Sequence, residues 1–112
     1  MTEPFPHTLK VTRWRQTTPN TGYVVRGRAS LLMVEIGLQI HGIWIAVNLA
    51  GIPLATMPQR CIKTANGFEW LPCGEFPEVA DSDRFSAAAW AAVVAEYPKV
   101  APHPSTFRQF AA

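Results

Sequence analysis

Between residues 36 and 57 the chain carries no side chain that is charged at pH 7, which leaves it few folds to adopt. A run of about 20 apolar residues can cross a bilayer as a helix. This run, however, contains Gln39, His41, Asn48, Thr56, three glycines and Pro53. Gln39 and His41 alternate with Leu38 and Ile40, which is strand spacing. The apolar phase then moves to Ile43, Ile45 and Val47, a slip of one position at His41-Gly42. An extra residue in mid-strand, next to a glycine, predicts a β-bulge. The stretch therefore reads as sheet, and no membrane association is expected.

The flanking segments extend this pattern. Residues 8–16 alternate, with Leu9 and Val11 on one face, and residues 17–22 (TTPNTG) are suited to reversing the chain. A long β-rich run over 23–36 precedes Gly37 and the next run, 38–49. Residues 50–53 turn again, and 54–59 form a short strand ended by Pro58. Asn66-Gly67 predicts a hairpin joining 60–65 to 68–72, with positive φ at both positions. Asp81 or Ser82 can cap a helix running to about Tyr97, where Pro98 stops it. Phe85, Ala88, Ala89, Trp90, Ala92, Val93, Val94 and Tyr97 form its wide apolar stripe, and its alanines allow close approach of a sheet or a second helix. The expected fold is α+β: about five mostly antiparallel strands with one C-terminal helix packed on the sheet. Residues 1–7 read as an irregular arm, 8–97 as a single domain, and 98–112 as a Pro-rich tail carrying Phe107 and Phe110. With 112 residues, 48% of them hydrophobic and 16% charged, the chain has the makings of a folded core.

The net charge of +2 conceals an asymmetry. Residues 8–63 carry seven arginines and lysines against Glu35 alone, a net of +6, whereas residues 64–112 carry a net of −3. Such a split points to a polyanionic partner. Cys61 and Cys73 match neither a redox pair nor a zinc knuckle, and His7, His41 and His103 are not at ligand spacing. No metal or cofactor is implied. Reduced thiols and the absence of a signal peptide point to a cytoplasmic protein. Cys61 with His41 is a weak nucleophile–base candidate. The carboxylates from Glu69 to Asp83 are explained by a solvated loop and a helix N-terminus. The chain is therefore expected not to be an enzyme.

The basic residues of the first half lie in pairs. Arg13 and Arg15 share one strand face, and Arg26 and Arg28 share one face of the next. One hairpin register sets Arg13 opposite Arg28 and Arg15 opposite Arg26, making a patch suited to phosphates. A slip of one residue sends the two pairs to opposite faces and dissolves it. The arginines are then merely the wet sides of half-buried strands. Trp14 and Trp44 can stack on bases, although large aromatics more commonly fill cores.

Several short segments occur in an order that resembles the stage V sporulation protein G (SpoVG, septation regulator) family. They are Val11-Thr12-Arg13, Arg26-Gly27-Arg28-Ala29-Ser30-Leu31, Gly37-Leu38-Gln39-Ile40-His41-Gly42-Ile43, Ala55-Thr56-Met57-Pro58-Gln59-Arg60, Asn66-Gly67-Phe68 and Ala92-Val93-Val94-Ala95-Glu96-Tyr97. The resemblance spans roughly residues 9–97. It implies a small α+β fold, a homodimer built through the sheet, and binding to DNA and RNA in bacterial gene regulation. The family's segment after Met-Pro is basic; here Arg60 and Lys63 keep two charges and Cys61 interrupts them. Lys99 alone supplies basic charge close behind the helix. The expected function is thus a dimeric nucleic-acid-binding regulator. Arg13, Arg15, Arg26, Arg28, Arg60 and Lys63 would contact phosphates, and Trp14 would stack. The alternative is a dimeric scaffold that holds a protein partner through a strand edge or the tail. Dimerisation also has a physical argument: the apolar positions of 23–49 exceed what one helix can cover.

Overall fold

The structure, a computed structural model, describes residues 4–103 and 106. It is an α+β fold of six strands in two antiparallel sheets, with one helix packed on the larger sheet. Strands β1 (Leu9–Thr17), β2 (Tyr23–Met33), β3 (Leu38–Asn48) and β4 (Pro53–Thr56) form the larger sheet in sequence order. Strands β5 (Gln59–Thr64) and β6 (Gly67–Pro72) form a separate two-stranded ribbon. The helix α1 (Val79–Glu96) follows, then a short 3-10 turn, Pro98–Val100.

The uncharged run 36–57 supplies β3 and β4. Among the described residues no helix is long and apolar enough to cross a membrane. Alternation along β2 and β3 sends Ala29, Leu31, Met33, Ile43 and Ile45 to one face, all buried. There they meet Phe85, Ala89 and Val93, which recur every fourth residue along one side of α1. Ala89 brings the helix close to the sheet, and Phe85 fills the space beyond it. The arm preceding β1 is irregular but anchored, because the Phe5 ring packs edge-on against Phe76 and Phe85.

Helix α1 begins at Val79, two residues before the expected cap. Glu78 occupies the N-cap with extended backbone and makes no side-chain cap bond. Asp81 lies in the first turn instead, where a carboxylate favours the helix dipole, and it pairs with Arg84 at 2.9 Å. The helix ends as expected: the Tyr97 N–H bonds Val93 O, and Pro98 follows.

A second tie joins helix and sheet. Strand β4 is an edge, and the Ala55 N–H donates to the buried Ser86 Oγ at 2.9 Å. A hydroxyl from the helix thus satisfies a strand donor that would otherwise be buried without a partner. Strand β4 stops at Thr56 rather than running to residue 59. The Asn66-Gly67 hairpin forms, but only Gly67 takes positive φ (+117°), and the closing pair is Thr64–Gly67. Of the tail, Val100 packs against the core; Phe107 and Phe110 lie outside the described residues.

Candidate nucleic-acid interface

Two bulges shape the face of the larger sheet turned away from α1. Pairing between β1 and β2 shifts between Val11 and Arg13, leaving Thr12 as an extra residue. Pairing between β2 and β3 shifts once between Tyr23 and Val25, near the start of β2, and again between Ala29 and Leu31, where the second of these bulges lies. There His41 and Gly42 stand against Ser30 alone, and Gly42 takes φ +75°. The bulge expected at His41-Gly42 is thus present. Both bulges flank Ser30, one from each neighbouring strand. They are also tied together: Gln39 Nε2 of β3 donates to Thr12 Oγ1 of β1 at 2.7 Å, and Thr12 Oγ1 donates to Ser30 O at 3.3 Å. Ser30 Oγ, itself buried, lies 2.9 Å from His41 Nδ1. Since bulges bend a strand and increase its twist, this region is dished rather than flat. The resulting concavity, of about 290 Å³, is lined by Arg13, Arg15, Arg28, Ser30, His41 and Gly42.

The register of β1 against β2 is Thr17–Arg26, Arg15–Arg28 and Arg13–Ser30. All four arginines therefore share the outward face. Their partners differ from expectation, because the hairpin is slid by two residues, a shift that preserves the face. Only Arg15 and Arg28 stand directly opposite one another. Like charges in that position repel. The Arg28 guanidinium leans over the cross-strand Trp44, its carbon 4.5 Å from the ring centroid, and the Arg26 guanidinium lies 4.2 Å from it. Each such cation–π contact is worth about 0.5–1 kcal/mol at an exposed site, enough to offset part of the repulsion. A second concavity, of about 250 Å³, opens beside Trp44 and is walled by Tyr23, Arg26, Ala46 and Leu54. Among the described residues none of the four strand arginines is paired with a carboxylate.

The other expected contacts lie elsewhere. Trp14 is on the opposite face, half-buried against the core, because the Thr12 bulge inverts the phase of β1. Its indole crosses Gly27, where an added Cβ would collide with the ring and approach Arg15 O to 2.8 Å. It does not share the arginine face; Trp44, half-exposed, is the tryptophan there, with the Arg26 and Arg28 guanidinium groups over its ring. Arg60 and Lys63 both sit on β5, in the separate ribbon. Their odd spacing points them to opposite faces of it, so they do not extend the arginine patch. Cys61 and Cys73 are free and exposed. Cys61 lies on the ribbon beside Trp70, whereas His41 is engaged with Ser30 on the larger sheet.

The ribbon makes its contacts chiefly within itself. Cys61, Lys63, Phe68 and Trp70 alternate onto one of its faces, with Phe68 76% and Trp70 65% exposed. Comparison of the chain with protein-family models, with curated proteins and with solved structures finds no match.

Proposed function

We propose that the outward face of β1, β2 and β3 binds single-stranded nucleic acid, DNA or RNA, through its phosphates. The observation that carries this reading is the set of four arginines gathered on one sheet face, without a carboxylate partner among the described residues. Facing guanidinium groups are costly to hold together unless an anion bridges them. A shallow dish beside an aromatic ring suits a strand whose bases are free to stack, since a duplex hides the faces of its bases. The resemblance to the SpoVG family supports the same reading and adds a role in bacterial gene regulation. No chemical step is part of it.

Fluorescence anisotropy with DNA and RNA oligonucleotides at two salt concentrations tests the proposal. Engagement of four phosphates gives a slope of log K against log salt of about −3, from roughly −0.7 per phosphate on single strands. Absence of binding at low salt overturns it.

The second part of the reading is a homodimer, which the family resemblance also implies. A free-standing two-stranded ribbon is marginally stable in water, and this one exposes Phe68 and Trp70 on one face. Exposed apolar patches of this kind mark contact surfaces. A second copy of the chain would cover them.

A further inference from the structure

The dished region between the bulges holds more positive charge than a passing phosphodiester requires. Arg13, Arg15 and Arg28 converge on it with Ser30 and His41. Each guanidinium offers five N–H donors in a planar fork that matches a phosphate in bidentate fashion. A diester within a strand has a single negative charge and two free oxygens. A terminal monoester has about −1.5 to −2 charges at pH 7 and three acceptor oxygens, a better match for three guanidinium groups. The buried Ser30 hydroxyl supplies a further polar group, held in place by His41. The second concavity adjoins this one across the Arg28–Trp44 cross-strand pair, which forms the wall between them. Its lining combines Tyr23, Trp44, Ala46 and Leu54 with Asn20, Arg26 and Thr56, which suits a flat group with polar edges, such as a base.

We infer that the two concavities together form a site for a phosphorylated chain end: the terminal phosphate monoester sits among Arg13, Arg15 and Arg28, and the adjoining base lies in the second concavity, beside the Trp44 ring and the Arg26 guanidinium over it. This inference rests on the nucleic-acid reading and names the part of the strand that the face selects. It distinguishes an end-binding protein from one that coats a strand uniformly.

The experiment compares short oligothymidylates bearing a 5′-phosphate, a 3′-phosphate or hydroxyls at both ends, by anisotropy on the full chain. One phosphorylated end should bind about tenfold more tightly than the hydroxyl strand, from the added charge-assisted hydrogen bonds. Arg15→Gln, at an exposed position, should bring the phosphorylated and hydroxyl strands close to equal affinity. Trp44→Leu should keep the preference for phosphate while weakening both strands. Thymidine monophosphate should displace the phosphorylated strand at concentrations where inorganic phosphate does not. Equal affinity of all three strands overturns the inference and leaves the nucleic-acid reading standing. Competition by inorganic phosphate as effective as that by the nucleotide overturns it too, because the base wall then contributes nothing. Absence of binding to every strand overturns both.

Discussion

At the scale of single residues, charge on the outward face opposes stability. Arg15 and Arg28 face each other directly across β1 and β2, a geometry that lowers sheet stability by roughly 0.2–1 kcal/mol. Arg15→Gln should therefore leave the melting temperature unchanged or raise it, while flattening the salt dependence of binding by about 0.7 in the log–log slope. Thermal melts and anisotropy on the same samples check both halves; loss of stability with intact binding would contradict them. A different balance holds at Glu35. Its carboxylate accepts the Thr8 hydroxyl at 2.7 Å and the Thr8 N–H at 2.7 and 3.0 Å. These bonds, the hydroxyl first, hold its pKa below the ordinary carboxylate value. A lowered folded-state pKa contributes stability above the unfolded value, and that stability is lost as pH falls through the folded one. Glu35→Gln should accordingly melt below the parent at neutral pH, with the gap closing in acid. Melting curves taken across that range decide it.

At the scale of elements, the junction between α1 and β4 concentrates much of the fold's dependence on one hydroxyl. Ser86→Ala would leave the Ala55 N–H buried without an acceptor, a loss of about 1–3 kcal/mol. Chemical denaturation measures it, and a change below about 0.5 kcal/mol, the usual range for surface substitutions, would mean the edge finds another partner. The elements themselves were largely legible in the sequence. Alternation over 23–49 and the parity slip at His41-Gly42 placed β2, β3 and one bulge, and Pro98 marked the helix end. The Thr12 bulge carried the same kind of signal, since Leu9 and Val11 are odd positions and Trp14 an even one. The spacing of Arg60 and Lys63 likewise argues against a shared face. The register of β1 on β2 was not legible, because it depends on how residues 18–22 close the hairpin, and several closures suit the same composition. The helix starts at Val79 rather than after Asp81 because aspartate is favoured both at an N-cap, by hydrogen bonding, and in the first turn, by the helix dipole, so its presence does not fix the start.

At the scale of the whole molecule, the two sheets face different tasks. The larger one buries its apolar side under α1 and turns its arginines outward, whereas the ribbon buries neither face. If a second copy covers the ribbon, light scattering after size exclusion gives twice the chain mass. Trp70→Ser together with Phe68→Ser then gives a monomer without loss of far-UV signal from the larger sheet. A monomeric parent chain would refute the dimer. Dimerisation would also carry two arginine faces on one particle, so strands long enough to span both would bind with an effective concentration that short ones lack.

The paired bulges give this face a reading frame. Beyond Thr12, every side chain on β1 is inverted relative to the strand's beginning, so Arg13 and Arg15 face outward only because the bulge holds Thr12 out of the ladder. Deleting Thr12 would set Val11 and Arg13 on consecutive ladder positions against Leu31 and Ser30 and keep both arginines outward, whereas drawing Thr12 into a regular ladder would turn Arg13 and Arg15 towards the helix and Trp14 towards solvent. The position of the arginine face therefore depends on where β1 absorbs its extra residue as much as on residue identity. Deletion of Thr12 should therefore leave oligonucleotide affinity within a few-fold of the parent, which anisotropy on the deletion variant checks.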